Sequence, residues 1–221
     1  MITLYHCFAA RSFRALWTLE ELKLPYELKM LPFPPRAFAR EYLALNPLGT
    51  VPLMIDGETR MTESAAIAQY LVTHYGPTAL SVASDEPDYG AYLNWLHFGE
   101  ATLTFPQTLV LRYARLEPEE RRSPQVAADY AKWFFGRLRA VETAATRNET
   151  LCAGRFTAAD ISVGYALLLA EHIGLARDFT PAVADYWQRL QSRDGFRRAV
   201  AAETAACERQ KVAAALPWKQ A

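Results

Sequence analysis

The chain has 221 residues, with 24 basic against 24 acidic side chains and no formal net charge; no basic patch stands out, which argues against nucleic acid as the main partner. Hydrophobic residues make up 51%, ample for a packed core and too many for disorder, and the length suits one large domain or two small ones. Cys7, Cys152 and Cys207 are an odd set with no CxxC pair, which points to a reducing compartment and opposes a disulfide framework or a zinc site.

Residues 2–6 read as a buried strand that starts without a charged leader or cleavage site, so a cytoplasmic protein is expected. No apolar run is long enough to span a membrane. Residues 11–23 read as a helix, with Phe13, Leu16, Trp17 and Leu19 on its apolar side and Arg14, Glu20, Glu21 and Lys23 as its polar positions. A second strand, 26–30, follows Pro25; a proline-rich loop leads to a short helix near 36–44. Residues 51–55 and 58–61 form a hairpin around Asp56-Gly57, and residues 63–75 are helical up to Gly76-Pro77. The order βαβαββα is that of a thioredoxin-like domain, α/β in class, over residues 1–77. Residues 78–87 read as a linker and 88–221 as an all-α helical bundle domain. Its helices are predicted near 87–115, 123–147, 158–173, 181–191 and 194–205, with a kink at Pro106. The stretch from Ile161 to Ala170 is apolar on nearly every side, which makes it the centre of the helical domain.

Chemistry concentrates in Asn46-Pro47-Leu48-Gly49-Thr50-Val51-Pro52-Leu53-Met54-Ile55-Asp56-Gly57 and in Met61-Thr62-Glu63-Ser64-Ala65-Ala66-Ile67. Pro52 has no amide hydrogen and weakens sheet pairing where the strand begins. A cis Val51–Pro52 bond would turn the amide and carbonyl of Val51 outward, toward another peptide. The helix that opens after Glu63-Ser64 offers unpaired N–H groups and a positive dipole end, suited to a carboxylate. Together these residues make a receptor for a small anionic peptide.

This arrangement resembles the glutathione-binding half of the cytosolic glutathione S-transferases. Leu4-Tyr5, Arg11 to Leu22 and Pro25-Tyr26-Glu27 resemble that family's first strand, first helix and second strand. Trp95-Leu96-His97-Phe98-Gly99-Glu100 resembles the start of its helical domain, and Phe156-Thr157-Ala158-Ala159-Asp160-Ile161-Ser162 the cap of its central helix. The resemblance implies a homodimeric, cytoplasmic detoxification enzyme with glutathione as co-substrate and no metal, acting on a small hydrophobic electrophile. It assigns Val51 and Pro52 to the peptide backbone, Glu63 to the γ-glutamyl ammonium and Ser64 to its carboxylate. Arg36 or Arg40 would reach the glycine carboxylate, and Glu100 glutathione held by a partner subunit. Phe8, Phe105, Leu109, Tyr113 and Trp218 are the candidate walls of an electrophile pocket between the domains.

A free thiol has a pKa near ~8.5 and reacts as the thiolate. Lowering that by about two units requires roughly 2.7 kcal/mol, and one hydrogen bond to a charged group contributes about 1.5–3 kcal/mol. One donor in the loop after the first strand therefore suffices. The sequence there, Phe8-Ala9-Ala10-Arg11-Ser12, has alanines where relatives carry serine or cysteine, as in a theta-like member without the usual catalytic serine. Ser12 and Arg11 are the nearest hydroxyl and cation, and are the candidate catalytic residues. Tyr5, or main-chain N–H groups with Ser12 merely capping the helix, are the alternatives. Cys7 reads as a buried, inert thiol. The competing functions are another glutathione-dependent enzyme (a peroxidase, isomerase or thiol reductase, the last needing Cys7 as nucleophile) and a non-catalytic glutathione-binding or scaffold protein.

Overall fold

The computed structural model describes residues 1–214. By contacts the chain divides into two compact units: residues 1–78 together with those from Ser192 onward, and residues 79–191.

The first unit is built on a four-stranded sheet of order β2-β1-β3-β4. Strand β1 (Ile2–His6) runs parallel to β2 (Tyr26–Met30) and antiparallel to β3 (Leu53–Asp56), which pairs with β4 (Thr59–Met61). The parallel pair needs a crossover, and α1 (Phe13–Leu22) supplies it. Helix α1 buries Phe13 to Leu19 and packs against α3 (Ser64–His74). The short α2 (Pro35–Phe38) and a 3-10 turn, Arg40–Ala44, lie between β2 and β3.

Helix α9 (Asp194–Gln210) also belongs to this unit, whereas a division drawn at the linker puts it with the other helices. The reason is the α1 surface. Phe196 packs edge-on against Phe13 and Trp17, with ring centroids 5.6 and 5.0 Å apart. Arg193 and Arg198 pair with Glu21 and Glu20. Gln210 donates to the carbonyl of Leu28 and accepts the amide of Met30. Two of the polar positions read on α1, Glu20 and Glu21, are thus docking points for α9, and Arg14 is fully buried.

The second unit begins with a helical run in which α4 (Tyr89–His97) passes through π-type turns, Phe98–Thr104, into α5 (Phe105–Leu111) and a further π turn, Arg112–Leu116. Pro106 sits at the start of α5, where a missing N–H is tolerated, and the helix pattern changes just before it. Helices α6 (Pro124–Arg147), α7 (Ala158–Ile173) and α8 (Pro181–Gln191) complete the unit. Helix α7 buries every residue from Ala158 to Ala170, as its all-round apolarity predicts. A capping box starts it: the Thr157 amide donates to Asp160 Oδ2 at 2.9 Å, and the Ala159 amide to Thr157 Oγ1 at 3.3 Å. Among the described residues no helix is long and apolar enough to cross a membrane.

Candidate functional site

The site lies where four chain segments of the first unit converge. The β1–β3 register sets Tyr5 beside Leu53, so the end of β1 and the start of β3 lie at one end of the sheet, on its two central strands. The first turns of α1 and α3 meet there as well, joined by Arg14 Nη1 donating to Ser64 Oγ at 3.0 Å.

The Val51–Pro52 bond is cis. The sheet ladder begins only at Leu53, so Val51 precedes it. Among the described residues, neither the N–H nor the C=O of Val51 has a hydrogen-bond partner. Its side chain packs on the cluster of Ala39, Tyr42 and Leu53. The preceding carbonyl, that of Thr50, is held from two sides: Asn46 Nδ2 donates at 2.8 Å and the Tyr42 hydroxyl at 2.8 Å. Asn46 Oδ1 also accepts the Leu48 amide at 3.2 Å, closing an Asx turn. Gly49 has φ +59°, and a Cβ there would lie 2.7 Å from that of Arg36. The Asn46-to-Thr50 loop is therefore fixed, and it presents the open N–H and C=O of Val51 at its end.

Glu63 is exposed at the N-cap of α3 with no side-chain capping bond, and its carboxylate meets no partner among the described residues. The N–H groups of the first turn have no intrahelical acceptor. Ser64 is buried; its hydroxyl oxygen accepts from Arg14, leaving its own proton to donate. Arg14 is the residue that the sequence reading missed here. A lone arginine on a helix otherwise reads as solvated, whereas here the buried guanidinium donates to Ser64. Arg36 and Arg40 are both exposed.

The β1–α1 loop differs from expectation. Ser12 is completely buried, and its side chain makes no capping bond. Its Oγ lies 2.6 Å from His6 Nδ1, and His6 Nε2 lies 2.7 Å from Glu203 Oε1. The same carboxylate oxygen accepts the Ala9 amide at 2.8 Å. A carboxylate only accepts, so Nε2 carries a proton; a neutral ring then accepts the Ser12 hydroxyl at Nδ1. Ser12, His6 and Glu203 follow the order of a hydroxyl–imidazole–carboxylate relay, yet all three are buried. Ser12, expected to touch the thiol, is placed with its hydroxyl on the His6 ring inside the unit. Arg11, partly exposed, directly precedes it. Sequence reasoning missed His6 and Glu203, because a lone His at a strand end and a Glu almost two hundred residues away carry no joint signal.

Cys7 is fully buried, and burial, with Cys207 nearby, pushes its thiol up to about 12. Tyr5 is half-buried, its ring 5.3 Å from that of Tyr42. Phe8 is half-buried in the same loop. In the second unit Phe105 is exposed and Glu100 half-buried. Trp218 lies outside the described residues.

Comparison with known proteins gives one consistent result. A family model described as "Glutathione S-transferase, N-terminal domain" matches residues 9–74. Glutathione S-transferase 3 of Schizosaccharomyces pombe is 41% identical over 103 residues, which span 47% of this chain and 43% of that protein. Glutathione S-transferase GstA of Escherichia coli O157:H7 is 30% identical over 164 residues, 74% of this chain and 78% of the relative. Among solved structures, the glutathione transferase URE2P6 of Phanerochaete chrysosporium, in complex with oxidized glutathione, superposes with a TM-score of 0.81 at 26% identity, covering 93% of this chain and 97% of that one.

Proposed function

Because this chain belongs to the glutathione S-transferase family, we propose that it binds glutathione along the segments around Val51 and Ser64 and activates its thiol for attack on a small hydrophobic electrophile, whose alkyl or aryl group the sulfur takes up. The observation that carries this reading is the open N–H and C=O of Val51. A fixed loop presents one N–H and one C=O beside a helix N-terminus, which suits a short peptide with a carboxylate at one end. In this arrangement the cysteinyl backbone of glutathione pairs with Val51, and Pro52 keeps the strand from closing over the position. The γ-glutamyl carboxylate lies at the first turn of α3, where the Ser64 hydroxyl and the helix dipole receive it. The exposed Glu63 carboxylate takes the ammonium. Each charge-assisted contact contributes about 1.5–3 kcal/mol.

With that end anchored, the thiol reaches the β1–α1 loop. Arg11 is its cation, held at the start of α1, where the dipole adds to its effect. The thiolate so formed attacks the electrophile, and the leaving group departs with the electron pair of the broken bond. The protein works as a cytoplasmic homodimer in detoxification, with residues 1–77 as its glutathione-binding domain and the helices from 88 onward as its helical domain, save that α9 goes by its contacts with the first unit.

Two other readings meet different fates. A thiol reductase would need Cys7 as nucleophile, and that side chain is inaccessible with a raised pKa. A glutathione-binding protein without turnover is favoured by one observation, the inward commitment of the Ser12 hydroxyl. The deciding experiment pairs calorimetry of S-methylglutathione binding with turnover of an activated aryl chloride. The transferase reading expects both in the wild type. In Arg11→Ala it expects binding kept within about twofold, the bound thiol titrating about one unit higher, and neutral-pH turnover about tenfold lower. Binding without turnover in the wild type would establish the non-catalytic reading, and a wild-type titration in Arg11→Ala would remove Arg11 from the chemistry.

A further inference from the structure

Glu203 places a carboxylate where the fold has no evident need of one. Helix α9 is already fastened to the first unit by Phe196 against Phe13 and Trp17, by the Arg193 and Arg198 ion pairs, and by the two Gln210 bonds to β2. Glu203 is nevertheless 5% exposed. Burying a carboxylate carries a desolvation cost that an apolar side chain avoids, and only its own hydrogen bonds offset it.

Its bonds go to one short loop. His6 is the last residue of β1 and Ser12 the residue before α1, so the 2.6 Å contact between them ties the two ends of the turn together. Glu203 braces the His6 ring and also accepts the amide of Ala9, in the middle of the turn. Ala9 has φ +56°, a left-handed conformation that a non-glycine residue adopts only when its surroundings impose it. The loop so held carries Phe8 and Arg11. Its shape depends on an acceptor reaching in from a distant helix.

We propose that Glu203 is a positioning residue for thiol activation: its carboxylate, through Ala9 and the His6–Ser12 pair, holds the β1–α1 loop in the conformation that aims Arg11 and the start of α1 at the sulfur. This rests on the reading above that glutathione's thiol lies at that loop. It assigns Glu203 a role in the pKa of the bound thiol and none in the affinity for the rest of the tripeptide, which is gripped at Val51 and α3.

The test uses the full chain. S-methylglutathione, which has no ionisable thiol, reports on binding by calorimetry. The ultraviolet absorbance of bound glutathione against pH reports on the thiolate. For Glu203→Ala the expected result is a thiolate titration about one unit higher and kcat at neutral pH about tenfold lower, with the S-methylglutathione Kd within about twofold of wild type. Glu203→Gln keeps an oxygen that accepts from both donors and should restore titration and kcat to within about threefold of wild type. A wild-type titration in Glu203→Ala overturns the proposal, as does a parallel loss of thiolate and of S-methylglutathione affinity. Should Glu203→Ala fail to fold, Glu203→Asp, whose shorter arm loses the Ala9 bond, carries the same expectation. Failure of both to fold assigns Glu203 to stability alone and overturns it too. A wild-type protein that does not bind S-methylglutathione fails at the functional reading itself, and is told apart by that control.

Discussion

Burial decides the chemistry of several side chains that look reactive on paper. Cys7, Cys152 and Cys207 are all buried, and burial pushes their thiols up to about 12, 11 and 11 respectively. A thiol-specific disulfide reagent should therefore find none of them in the folded protein at neutral pH, and all three after denaturation. The same shift has a consequence for stability. The folded state keeps the Cys7 proton above 9.0, where an unfolded chain releases it, so stability falls as the pH rises from 9.0 toward about 12. Unfolding midpoints in denaturant, measured at rising alkaline pH, should decline over that range, and a Cys7→Ser variant should decline less. Ser12 and Arg14 follow the same logic in opposite directions: the hydroxyl is withdrawn from the surface by His6, while the buried guanidinium is put to use under Ser64.

At the scale of elements, close approach explains a motif that composition leaves opaque. The helical run through Trp95 to Glu100 crosses α7 at Gly99, where an added Cβ would lie 2.5 Å from the Ser162 backbone. Ser162 Oγ seals the crossing by donating to the Leu96 carbonyl at 2.6 Å. Gly99→Ala must push the two helices apart, and should cost about 1–3 kcal/mol in denaturant unfolding. Gly90, at the start of the same run, would bring its Cβ near nothing within 4 Å. Gly90→Ala should thus leave stability unchanged or raise it slightly, and separates crowding from helix propensity. A reversed order of the two melting temperatures would refute the crossing argument. The Asn46 turn makes the matching case beside the hairpin: the Asn46 side chain holds the Thr50 carbonyl and the Leu48 amide, and so fixes the chain that leads into β3.

For the molecule as a whole, the decisive feature is that the chain returns to its first unit after completing the second. Helix α9 covers Phe13 and Trp17 and delivers Glu203 to the β1–α1 loop. Phe196→Ala should lower the unfolding free energy by about 3–5 kcal/mol, the usual range for a buried phenylalanine. A loss well under 1 kcal/mol in equilibrium unfolding would mean that α9 is not part of the unit's core. The periodicity of apolar residues, the Asp56-Gly57 turn, the Thr157–Asp160 cap and the order of the segments are local signals, and from them the sequence by itself determined the thioredoxin-like and helical parts and the family, and singled out the Val51 and Ser64 segments on which the proposed receptor rests. Tertiary structure alone decided which way Ser12 points, why Arg14 is buried, and that His6 and Glu203 meet. Those outcomes depend on contacts between residues as many as 197 positions apart. Periodicity reports which face of an element is buried; it says nothing of which distant polar group will be waiting there.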